Sequence, residues 1–93
     1  MDIHQIFSGW PEAIPKNGSV VTRHGETLPF SDFMMCGDLI LFARSTPDAQ
    51  GVRRVIVKAT ELVAVKFHDA IELPRFISMG FQKPEHAVAS AFA

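Results

Sequence analysis

The charged and reactive side chains of this chain are few and unevenly spread. Between residues 44 and 66 lie five basic residues (Arg44, Arg53, Arg54, Lys58 and Lys66) against two acids, Asp48 and Glu61. Gathered on one side of a molecule whose net charge is −1, they would form a local patch that attracts phosphate. The near-zero total argues against a duplex-DNA binder. On a regular strand Arg53 and Arg54 point to opposite faces, so only one serves a given surface. Phe30, Phe33, Met34 and Met35 add aromatic and polarizable surface. Their default role is packing a strand face, and stacking of a base on Phe33 is the sharper alternative.

Other chemistry has less to draw on. His4, His24, His68 and His86 show no i,i+4 or His-x-His spacing, and Cys36 is the single cysteine, so no zinc-finger or ribbon pattern exists. A metal would need ligands gathered by the fold, such as His68, Asp69 and Glu72, and the residues alone assign no metal site. Cys36 sits beside Gly37 at an expected turn. It reads as a small packed side chain, since nucleophilic catalysis needs a neighbouring base. No phosphate-binding loop, dinucleotide fingerprint or Gly-x-Ser-x-Gly elbow is present. No catalytic residue and no cofactor is assigned, and a non-enzyme is expected.

The elements that must position these residues are short. Residues 2–8 read as a helix, with Asp2 as its cap and Ile3, Ile6 and Phe7 on one stripe. Gly9, Pro11, Pro15, Asn17 and Gly18 make 9–18 a loop, in which Trp10 pins the amino-terminal arm to the body or to a neighbouring subunit. Five strands follow, over 19–23, 27–35, 39–44, 52–58 and 61–67. Pro29 confines the second to an edge, a bulge or a strand start. The turns are 24–26, Gly37-Asp38, the polar loop 45–51 and the minimal corner Ala59-Thr60. In the last strand Val63, Val65 and Phe67 share the core face. Segments 69–76 and 84–93 read as short helices.

So many short strands in about forty positions predict a mainly β domain, folded as a small, strongly bent barrel. With 93 residues, of which 47% are apolar, a single domain is expected. Its parts are an amino-terminal arm (1–18), a barrel (19–67) and a carboxy-terminal extension (68–93). One cysteine fits a reducing compartment, the amino terminus lacks a secretory pattern, and the longest strongly apolar run, 39–43, is too short to span a bilayer. A cytoplasmic protein without a membrane partner is expected.

Two segments carry a family resemblance. Phe30-Ser-Asp-Phe-Met-Met35 resembles the first motif of Sm-like (LSm) proteins, an aromatic-Asp-x-aromatic-Met-Asn run. The segment from Val57-Lys-Ala-Thr-Glu-Leu62 to Val65 resembles the second, a branched residue before Arg-Gly-Asn/Asp-x-Ile. The similarity covers residues 16–67. It implies a five-stranded Sm-like (SH3-like) barrel that forms a homo-oligomeric ring, the fourth strand of one subunit pairing with the fifth of the next. It also implies single-stranded RNA as ligand, with Ser31, Phe33, Met35, Lys58 and Thr60 at the pocket positions; Arg44, Arg53 and Arg54 are the basic patch that the charge distribution suggests. The chain departs from the family there: Ser31 replaces Asp, Met35 replaces Asn, Lys58-Ala59 replaces Arg-Gly and Thr60 replaces Asn or Asp. Lys58 keeps a charge without the planar fork of arginine.

The alternative to an RNA-binding ring is a purely structural oligomeric scaffold of phage or mobile-element type. A second resemblance is to SH3-like toxin ribonucleases, through Gly37-Asp-Leu-Ile-Leu41, the loop holding Pro47 and Gly51, and Arg53-Arg-Val-Ile-Val57. It implies a phosphate-stabilising role for Arg54, but the proline that this family places after its arginine is missing here.

Overall fold

The computed structural model describes residues 1–84. Its amino-terminal helix α1 (Ile3–Ser8) begins at a capping box. The Gln5 amide donates to Asp2 Oδ1 at 2.8 Å, and the Asp2 amide donates to Gln5 Oε1 at 2.7 Å. Two N–H groups that a helix start leaves without partners are thereby satisfied. The Gly9 amide closes the helix on the Gln5 carbonyl. Beyond it, Trp10 Nε1 donates to the Ile14 carbonyl at 2.9 Å, which folds the proline-rich arm into a compact loop.

Six strands follow: β1 (Gly18–Thr22), β2 (Thr27–Phe30), β3 (Asp32–Cys36), β4 (Leu39–Ala43), β5 (Arg54–Lys58) and β6 (Leu62–Phe67). They form two three-stranded antiparallel sheets, ordered β2-β1-β6 and β3-β4-β5. The run 27–35, expected as one strand, is divided at Ser31, whose amide donates to the Ala43 carbonyl at 2.8 Å. Its first half joins one sheet and its second half the other, so the chain turns a corner between the layers. Pro29 lies on β2, the edge strand, opposite Ser19, where the N–H that proline lacks is not required for pairing to a second neighbour.

Strands β5 and β6 are joined by a 3-10 turn (Ala59–Glu61), yet among the described residues each has one strand neighbour, β4 and β1 respectively. The two sheets therefore do not close by hydrogen bonding between them. Gly18, read from sequence as loop, is the first residue of β1. A Cβ there would collide with the Lys66 carbonyl oxygen, so only glycine permits this approach of β1 to β6.

One core lies between the layers. Phe7, Val20, Phe30, Phe33, Ile40, Phe42, Ala59 and Leu62 are buried, and Trp10, Met35, Val57 and Val65 pack against them. Phe7 is the hub, stacked on Trp10 at 5.4 Å and edge-on to Phe42 at 5.4 Å. Burying a side chain of this size stabilises the fold by about 1.5–3 kcal/mol. The buried polar residues are satisfied: Ser19 Oγ bonds His68 Nε2 at 2.9 Å, and Thr22 Oγ1 accepts from the Glu26 amide at 3.2 Å.

Two further expectations need correction. Val63 does not share the core face with Val65 and Phe67. Thr22 pairs with Leu62 and Val21 with Ala64, which leaves Val63 as the extra residue of a bulge. Leu62 turns inward and Val63 is 60% exposed. The helix expected over 69–76 is α2 (Leu73–Ser78), because Pro74 is accommodated only in a first turn. The helix expected over 84–93 lies, apart from Pro84, outside the described residues.

Candidate functional site

Strand register sorts the sequence-derived site residues into two groups at opposite ends of the β3-β4-β5 sheet. Lys58 is opposite Leu39, and Leu39 is opposite Cys36, at one end; Arg54, Ala43 and Asp32 are aligned at the other. The four-residue step along β5 separates these ends by about 13 Å.

The Lys58 end is built from two adjoining turns. The Ala59 amide donates to the Asp38 carbonyl at 2.9 Å, tying the 3-10 turn to Gly37-Asp38. Helix α1 touches the same place, because His4 Nε2 bonds the Gly37 carbonyl at 2.7 Å. Lys58 and Thr60 are exposed here, and Met35 is half-buried in register with Ile40 and Val57. Sequence reasoning missed Arg23. Its Nη2 donates to the Thr60 carbonyl at 3.4 Å, and its Nε meets Glu61 at 2.9 Å. A charge two residues ahead of a tight Gly25 turn gave no signal of that contact.

The other end holds Ser31 and Arg44. Ser31 Oγ donates to the Ala43 carbonyl at 3.3 Å, and Arg44 Nε to the Thr46 carbonyl at 3.1 Å. Arg54 is exposed and donates to the Arg53 carbonyl at 3.1 Å. Arg53 precedes β5, although its carbonyl still accepts from the Arg44 amide and so extends the ladder. Ser31 is thus separated from Lys58 and Thr60.

Phe33 requires the clearest correction. It is 6% exposed, enclosed by Phe7, Trp10 and Phe30, with Lys16 Nζ 5.1 Å from its ring centroid. No face of the ring is open to a base. Cys36 is exposed rather than packed, and its thiol has no hydrogen-bond partner among the described residues. His68, Asp69 and Glu72 do not assemble a metal site; among the described residues no group of three or more such ligands converges.

The centre of the outer face of β3-β4-β5 is apolar. Met34, Leu41 and Ile56 form one row across the three strands, with Leu39 beside them. Met34 is 66% and Ile56 63% exposed. Arg54 and Lys58 flank Ile56 along β5, at the edge that has no strand neighbour among the described residues. No helix among the described residues is long and apolar enough to cross a membrane. The chain matches no protein-family model, no curated protein and no solved structure.

Proposed function

We propose that this chain is a non-catalytic, ring-forming protein of Sm-like type, in which β5 of one subunit pairs with β6 of the next. The observation that carries this reading is the pair of strand edges on either side of the 3-10 turn. Each of β5 and β6 has one strand neighbour among the described residues, and β5 carries the exposed Ile56. An edge bordered by apolar surface is a template for association unless it is covered. With β2 and β3 counted as one bent strand, β5 and β6 take the places of the fourth and fifth strands of a five-stranded barrel.

Single-stranded RNA is the proposed ligand, held at the Lys58 end by Lys58, Thr60 and Met35, with Arg23 as a further cation. Ring symmetry would repeat Lys58 around one rim, and a ring of cations binds phosphate far better than one. The exposed thiol of Cys36 fits a reducing cytoplasm.

Light scattering on the purified protein tests assembly: a discrete oligomer at micromolar concentration is expected, and a monomer refutes the ring. Fluorescence anisotropy with uridine-rich and adenine-rich oligonucleotides at two salt concentrations tests the ligand. Binding that weakens with salt and on Lys58→Ala is expected. A ring that binds neither oligonucleotide would instead be the purely structural scaffold.

A further inference from the structure

We propose that the cleft between the Ser31 bend, the Arg44–Thr46 segment and His68 binds a terminal phosphate group. It lies at the end of the β3-β4-β5 sheet away from Lys58 and is independent of ring assembly. The cleft measures about 130 Å³ and is walled by Asn17, Phe30, Ser31, Arg44, Thr46 and His68. That is ample space for a tetrahedral oxyanion, since a single water needs only about 10–15 Å³ of such volume.

The chemistry of the walls is one-sided. They carry a guanidinium, an imidazole, hydroxyls and an amide, and no carboxylate. Acids nearby are already engaged. Asp48 accepts from the Gln50 and Val52 amides, both at 2.8 Å. Asp32 accepts from the Phe33 amide at 2.8 Å and lies 4.0 Å from Lys16. Asp69 faces Asn17 Nδ2 at 3.5 Å.

Arg44 supplies the charge and the geometry. It is half-buried, and the Nε bond to the Thr46 carbonyl orients its guanidinium plane. Its two terminal nitrogens have no protein acceptor among the described residues, leaving a fork that matches phosphate oxygens in pairs. The Ser31 hydroxyl bond to Ala43, at 3.3 Å, is long for an O–H donor, so the hydroxyl is free to turn toward a ligand. His68 is oriented by its bond to buried Ser19.

Inorganic phosphate and the 5′-phosphate of a nucleotide share this chemistry. Amide NMR of the full chain, titrated at constant ionic strength with phosphate, uridine 5′-monophosphate or uridine, separates them. Phosphate and the nucleotide should shift the amides of Ser31, Ser45 and Thr46 saturably, and uridine should not. Tighter binding of the nucleotide identifies it as the source; equal affinity identifies free phosphate. Arg44→Gln should weaken binding tenfold or more and His68→Ala several-fold, whereas the same charge change at exposed Arg75 (Arg75→Gln) should leave it unaltered. The proposal is overturned by the absence of saturable shifts at these amides, by shifts confined to Lys58 and Thr60, or by undiminished affinity in a folded Arg44→Gln or His68→Ala protein.

Discussion

Phe33 meets Phe7 edge-on, with ring centroids 4.8 Å apart and planes at 85°. The motif position that the family resemblance assigns to a base is therefore occupied by the contact that fastens helix α1 to the sheets. Edge-to-face pairs of this kind add about 0.5–1.5 kcal/mol beyond the area they bury. Phe7→Ala should cost about 3–5 kcal/mol, as for other buried aromatics. Urea denaturation should register that loss as a lower midpoint, together with increased solvent exposure of Trp10, which stacks on the same ring. A shift below 1 kcal/mol would remove Phe7 from the centre of the core.

Gly18 and Lys66 set the spacing of β1 and β6. Gly18→Ala forces a methyl against a backbone carbonyl that is held in the sheet and has no side-chain rotamer by which to retreat. Destabilisation of about 1–3 kcal/mol is expected. Thermal unfolding reads it directly, and an unchanged midpoint would mean that the strands separate more readily than their register suggests.

Ile56 distinguishes assembly from folding. Its side chain is 63% exposed, so Ile56→Lys should alter the stability of the single chain by no more than about 0.5 kcal/mol. The added charge on the β5 edge should nevertheless disperse the oligomer. Sedimentation of the folded variant checks this, and retention of the parent's oligomeric mass would exclude the β5 edge as the joint.

Asp48 gives the 45–51 loop an acid-sensitive element. Hydrogen bonds from the Val52 and Gln50 amides, aided by the nearby Arg44 charge, hold its carboxyl below the ordinary value of 3.8. A depressed folded-state value contributes stability above the unfolded-state value and loses it as the pH falls through the folded one. Amide exchange at Gln50 and Val52 should therefore be constant from neutral pH to about pH 4, after correction for intrinsic rates, and lose protection below it. Asp48→Asn should abolish that transition. Protection lost between pH 7 and 5 would contradict the assignment.

Much of the architecture was legible in the residues, and the exceptions share a cause. The Asp2 cap and the turns at Gly25, Gly37 and Gly51 follow from local backbone chemistry, since each glycine adopts a positive φ. Strand positions follow from short β-branched and aromatic runs between those turns. The break at Ser31, the bulge at Val63 and the strand role of Gly18 were not legible, because each depends on a partner 12 to 48 residues away: Ala43 for Ser31, Thr22 for Val63, Lys66 for Gly18.

The same division governs the site. Composition and spacing determined a mainly β chain, a cluster of basic residues in its second half and the absence of recognisable catalytic motifs. Only the tertiary structure decided which of those residues meet. Register sends Lys58 and Thr60 to one end of a sheet and Ser31 and Arg44 to the other, buries Phe33 and places His68 and Arg44 around one cleft. Side-chain type is a local property, whereas the neighbours of a side chain are set by strand pairing and by which face the core takes from water.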